Sequence, residues 1–306
     1  MYGASSTAKR EPHNHKEEAM IPTSFDYVAA KSLDDALSLL ARHKDDAKLL
    51  AGGHSLLPAM KLRLAQPKVL IDISRIKDLN YIREEDGQVR IGAMTTHFQI
   101  ESSDLLRRVC PLLPEAASNL GDMQVRNKGT IGGSVAHADP AADWPASVIA
   151  LNAEMVAVGP KGERVIKSDD FFVELFTSAL EPGEILREIR FTPPRRNFGQ
   201  AYLKFRHPAS GFAVVGIAVS LTAEGSRCAI CGVGVTGVAG KAYRAGGVER
   251  ALKGASLDSK TISAAAEHVA EGIEPNSDLF ASGEYRRHLA QVYARRALET
   301  AASRAK

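Results

Sequence analysis

Apolar positions at three- and four-residue spacing, Leu33, Ala36, Leu37 and Leu40, mark one buried face of a short amphipathic helix. Ser32 and Asp35 supply a capping box at its start. The run Phe25-Asp26-Tyr27-Val28 ahead of it reads as a short strand, as do residues 48–51 and 69–73. A short helix fits over residues 56–64, ended by Gln66-Pro67, so the opening stretch is a β-α-β-loop-β unit. The texture then changes. Tyr81-Ile82 and Val89-Arg90-Ile91 flank the turn Glu84-Glu85-Asp86-Gly87, which predicts a hairpin. Residues 154–158 and 163–166 repeat that signal around Gly159-Pro160-Lys161-Gly162. Between the hairpins, residues 92–96 read as a turn. Residues 103–109, 112–119 and 145–151 read as helices, the first two separated by Pro111. A strand over 185–191 is stopped by Pro193-Pro194.

Residues 193–199 carry two prolines, two arginines and a glycine, and mark a domain boundary near 196/197. Beyond them, residues 212–222 and 227–235 are β-rich, followed by helices over 248–253, 259–271 and 283–302. In the last helix Leu289, Val292, Tyr293 and Ala297 keep the helical spacing. Residues 1–19 have charges but no apolar core, so they read as a disordered leader or extension, and not as a secretory signal.

The bulk numbers narrow the function classes. The 306 residues suffice for two domains. Lys plus Arg number 39 against 36 Asp plus Glu, a net charge of +3 that gives no case for a nucleic-acid partner. No apolar run reaches the length of a transmembrane segment. Three cysteines make no disulfide framework and fit a reducing compartment, so a cytoplasmic location is expected.

Two glycine stretches carry the candidate chemistry. Ala51-Gly52-Gly53-His54-Ser55 follows an apolar strand and leads to Leu56; Thr130-Ile131-Gly132-Gly133-Ser134 repeats the design. Successive backbone N–H groups in such loops make anion-binding concavities, and a dinucleotide pyrophosphate needs such a surface. Two clamps on one dinucleotide and a pair of ordinary tight turns remain equal readings of these residues. Gly232-Val233-Gly234-Val235-Thr236-Gly237 matches G-x-G-x-x-G, but later glycines interrupt any following helix and no carboxylate stands at the needed offset. It reads as a strand end and turn. Cys228-Ala229-Ile230-Cys231 sits on a strand, where residues three apart face opposite ways, so no metal site is expected. His54 reads as a packing or hydrogen-bonding residue in preference to a covalent flavin tether. Asp139 and Asp143 suit either sugar-hydroxyl recognition or a helix N-cap. Lys204 is either a strand-edge lysine or a cation beside a flavin's pyrimidine end. No residue is assigned as a catalytic acid, base or nucleophile.

These motifs, with the run 67–73, Gly92-Ala93-Met94-Thr95-Thr96, Asp139-Pro140-Ala141-Ala142-Asp143 and the tail Glu284-Tyr285-Arg286, resemble in order the FAD-binding medium subunit of molybdenum hydroxylases. The chain is most similar to medium chains of aerobic carbon monoxide dehydrogenases, and beyond them to the xanthine dehydrogenase flavin domain, over about residues 20–302. The resemblance implies an α+β fold: a two-subdomain FAD-binding domain of the PCMH (vanillyl-alcohol-oxidase-like) type over 20–196, divided near 75/76, and a C-terminal α+β domain with a sheet and helices over 197–306. It implies non-covalent FAD, held at the pyrophosphate by residues 51–55 with Leu56 and by residues 130–134. Asp139 and Asp143 would meet sugar-like hydroxyls, Leu186 and Lys204 would line the flavin, and Leu120 would sit near the adenine. The acidic-aromatic pair common in the family reads here Gly211-Phe212, which keeps a ring for stacking and lacks the acid. Ser134 replaces an Asn of some relatives.

The resemblance further implies an electron-transfer role beside two partners, an iron–sulfur small subunit with two-iron, two-sulfur clusters and a molybdopterin large subunit, in a dimer of heterotrimers. The rival readings are a stand-alone flavin oxidase with FAD bonded to His54, and a non-catalytic scaffold.

Overall fold

The computed structural model describes residues 20–305; the expected leader over 1–19 lies outside the described residues. Among the described residues three larger sheets follow one another along the chain, with a two-stranded ribbon of Phe172–Glu174 and Thr177–Ser178 besides. The first is parallel, with Val69–Asp72 between Asp26–Ala29 and Ala47–Leu50. Its central strand is buried at all four residues, as a parallel strand covered on both faces must be. The helix Leu33–His43 buries Ala36 and Leu39 against it. Ser32 caps that helix by accepting from the Asp35 amide at 3.1 Å. The Asp35 carboxylate reaches back to the Lys31 amide, one residue short of the expected box.

The second sheet is antiparallel and five-stranded, in the order Ile82–Glu85, Gln88–Gly92, Ile185–Phe191, Glu154–Gly159, Gly162–Lys167. The first hairpin turns at Asp86 (φ 53°) and Gly87 (φ 74°), the left-handed pair that a two-residue turn requires. The short helices between the hairpins pack on one face around Trp144, Ile131, Leu112 and Leu113. The sequence pattern missed three of these helices, His97–Glu101, Met123–Lys128 and Ile131–His137, and placed the helix over 145–151 two residues late: it runs Asp143–Ala150. Pro145 fits in its first turn, where the missing N–H has no helical partner to lose.

The third sheet is an antiparallel meander of Phe198–Arg206, Ala213–Glu224, Arg227–Thr236 and Tyr243–Arg244. The strand Ala213–Glu224 is buried almost throughout, because helices cover both faces of the sheet. The long helix Gly283–Arg304 lies on one face and Asp143–Ala150 on the other. Gly232 and Gly234 make the second contact possible. A side chain at either would overlap the carbonyl oxygen of Ala150 or Ala146. The G-x-G-x-x-G run is thus a strand pressed by a helix, as its failure to open a helix implied.

The C-x-x-C reading needs correction. A bulge sets Cys231 opposite Leu221 and Cys228 opposite Ala223, so the extra residue turns both cysteines to one face. The neighbouring Cys228 thiol and burial push the Cys231 thiol up. No third metal-ligating side chain joins them among the described residues.

Candidate functional site

The two glycine stretches come together although they are far apart in sequence. The first leaves the strand Ala47–Leu50, and the second opens the helix Ile131–His137. A Cβ on Gly52 would overlap the Lys128 carbonyl oxygen and stand 2.8 Å from Gly129 Cα. A Cβ on Gly133 would stand 3.4 Å from the Ala51 methyl. Backbone therefore meets backbone along a seam that only glycine permits.

The two stretches differ in what they offer. The amides of Gly52, Gly53, His54 and Ser55 donate to no group among the described residues, and Gly53 turns the chain at φ 79°. Open successive amides of this kind suit an anion. The second stretch is a helix start, not a loop, and its amides are committed. Ile131 donates to Thr95 O, Gly132 to Ala93 O, Gly133 to Thr130 Oγ1 and Ser134 to Thr130 O. Thr130 is a buried N-cap, Ile131 is core, and Ser134 is half-buried. Gly132 exists for packing, since a Cβ there would run into Ala93.

Beneath the seam lies His97, 5% exposed, which the sequence pattern passed over. Its Nδ1 accepts the indole N–H of Trp144 at 3.1 Å. Burial above all, helped by the charges of His54 and Arg126, holds its pKa down to about 3, so it stays neutral. No sequence signal links positions 97 and 144. Thr96 with Gln99 does signal the helix that carries His97, through a true capping box.

A second cluster gathers Asp143, Lys204 and Tyr202. Lys204 Nζ lies 2.8 Å from Asp143 Oδ2 and 3.2 Å from the Asn119 carbonyl. The Tyr202 hydroxyl donates to Asp143 Oδ1. Burial pushes the Asp143 carboxyl up, against the opposing pull of Lys204 and Tyr202. Asp143 is the first residue of its helix; Ala142 occupies the N-cap, so the N-cap role does not apply. Asp139 instead accepts from the Ala141 amide at 2.8 Å in a local turn.

The remaining candidates spread around these clusters. Leu120, half-buried, follows Asn119 beside Lys204. Leu186 is buried in the core, and the bulge after it frees the Arg187 carbonyl for Ala93, which in turn holds Gly132. Phe212 is 45% exposed and adjoins the 139–143 turn, because Ala213 donates to Ala141 O. His54 and Ser55 are exposed and Leu56 is half-buried.

Comparison with known proteins decides the family. Residues 23–194 match the model described as FAD binding domain in molybdopterin dehydrogenase, and residues 200–301 match the CO dehydrogenase flavoprotein C-terminal domain. The chain belongs to the FAD-binding subunits of molybdenum hydroxylases. The carbon monoxide dehydrogenase medium chain of Hydrogenophaga pseudoflava is 42% identical over 285 residues, 93% of this chain and 99% of that one. That of Afipia carboxidovorans is 42% identical over 288 residues, 94% and 100%. A solved structure of the Hydrogenophaga pseudoflava carbon monoxide dehydrogenase superposes with a TM-score of 0.91 at 43% identity, covering 94% of this chain and 100% of that chain. The α+β two-domain reading and the FAD cofactor both hold, and this FAD-binding subunit is part of an oxidoreductase. Among the described residues no helix is long and apolar enough to cross a membrane.

Proposed function

We propose that this chain is the electron-transfer subunit of a three-subunit molybdenum hydroxylase, with non-covalent FAD seated across the seam of the two glycine stretches. The row of open amides at 52–55, set against the backbone at 128–133, carries the reading. FAD supplies a centre that accepts electrons singly and passes them on in pairs or singly. The protein binds and orients it. Amides of 52–55 would meet the pyrophosphate, with Thr130 and the glycines at 132 and 133 fixing that wall. The Asp143–Lys204–Tyr202 cluster would hold the segment of Asn119 and Leu120 and the 139–143 turn at a set distance from the third sheet. Phe212 would offer an aromatic face at the same turn.

In this reading an iron–sulfur small subunit delivers electrons to the chain, a molybdopterin large subunit carries the substrate, and an external acceptor takes the electrons away. The relatives' designation as medium chains supports partners on either side. A dimer of such trimers in the cytoplasm is the assembly proposed. Purification from the native source tests the whole reading. A yellow preparation is expected, with FAD released into the supernatant by acid and with two co-migrating chains holding molybdopterin and iron–sulfur clusters. Flavin retained in the acid pellet, or a colourless chain that takes up no FAD, would overturn it.

A further inference from the structure

His97 is a buried side chain beside the seam that uses only one of its two ring nitrogens. Trp144 has an indole N–H and no acceptor, so the bond between them fixes His97 Nδ1 as the acceptor. The ring being neutral, its proton sits on Nε2. That N–H has no acceptor among the described residues. It is also not sealed away: the Nε2 edge of the ring keeps some contact with solvent.

Its position is defined by glycine. Nε2 lies 2.6 Å from where a Cβ on Gly129 would stand, so any side chain there would displace the imidazole. Gly52 presses on the same Gly129, at 2.8 Å from its Cα. The His97 amide donates to the Gly129 carbonyl at 3.0 Å, which anchors the ring's own backbone to the seam. Gly129 thus has the open amides of the first stretch on one side and the open N–H of His97 on another. An imidazole kept neutral makes a fixed donor whose proton does not come and go with pH.

We propose that His97 is a binding residue for the dinucleotide, its Nε2–H donating to a phosphate oxygen of the pyrophosphate held by the amides of 52–55. Trp144 is then a positioning residue that selects the tautomer. The proposal rests on the reading of the seam as an FAD site.

The test uses the full chain freed of flavin. FAD and riboflavin, which lacks phosphate, are titrated by flavin fluorescence into the unaltered protein, His97→Gln and His97→Phe. A hydrogen bond to a charged group is worth about tenfold or more in affinity. His97→Phe is therefore expected to weaken FAD at least tenfold and leave riboflavin unchanged, and His97→Gln, which keeps an N–H donor, is expected to recover most of the loss. In the unaltered protein with 15N-labelled histidine, FAD is expected to shift and protect the His97 Nε2–H resonance, and riboflavin is not. A folded His97→Phe that binds FAD within twofold of the unaltered protein would overturn the proposal. So would an Nε2–H signal indifferent to FAD, which decides the matter alone where His97→Phe does not fold. Failure of the unaltered protein to bind FAD would sink the site reading itself.

Discussion

Lys204 and Asp143 face each other at 2.8 Å with side chains only 1% and 3% exposed. Two charges taken this far out of water are held by each other, by Tyr202 and by the Asn119 carbonyl. Removing one partner strands the other, which costs about 3–5 kcal/mol. Lys204→Met is expected to lose stability on that scale in denaturant unfolding. The double variant Lys204→Met with Asp143→Asn is expected to regain part of it, because no uncompensated charge remains. A cycle showing simple additivity would argue against the pair.

His97 gives a pH dependence with a defined sign. Its pKa is lowered from 6.5 to about 3 in the folded chain, so the unfolded chain binds the proton first as pH falls. Stability is full above pH 6.5 and drains away between there and about pH 3. Between pH 7 and pH 5 the unaltered protein is expected to lose about 2 kcal/mol relative to His97→Gln, which has no such group to titrate. Parallel stability profiles for the two proteins would show that His97 does not titrate as argued.

Gly52 has no room for a side chain against Lys128 and Gly129. Gly52→Ala is expected to part the two stretches, costing about 1–3 kcal/mol and weakening FAD binding at the same time. Gly240→Ala is the control: nothing lies within 4 Å of its would-be Cβ, and its stability is expected to stay within about 0.5 kcal/mol of the unaltered chain.

Gly234 carries the corresponding contact between domains, where Ala146 O touches the strand. Gly234→Ala is expected to lift the helix Asp143–Ala150 off the third sheet. Limited proteolysis checks this. Cleavage near the exposed residues 195–197 should accelerate in the variant, and unchanged cleavage would show that the helix adapts.

The sequence made legible those parts that local chemistry dictates. Ser32, the Asp86-Gly87 turn and the spacing of Leu33, Ala36 and Leu37 each specify their element without help from elsewhere. The glycine stretches were visible as candidates for the same reason. What the sequence hid is made of distant pairings. Thr130 looked like part of a loop because Gly132 and Gly133 disfavour helix, yet their tight fit against Ala93 and Ala51 outweighs that preference. His97 gains its meaning only from Trp144, 47 positions away. Asp143 and Lys204 were legible as polar residues near the site, but their mutual burial needs the third sheet to close over the helix. The facing of Cys228 and Cys231 turned on one bulged residue, which no alternation rule anticipates.

The contact of Gly52 with Gly129 has a mechanical consequence. Gly52 follows a strand of the first, parallel sheet, whereas Gly129 lies among the helices packed on the second. No side chain is interposed where they meet, so little apolar surface joins the two lobes at that point. A molecule lying along the seam touches both lobes at once and acts as their rivet. By mass action it stabilises the joined arrangement in proportion to the logarithm of its concentration over its dissociation constant. Filling the seam thus adds to the hold that Met94 and Ile185, buried in the small lobe's core, already have on it.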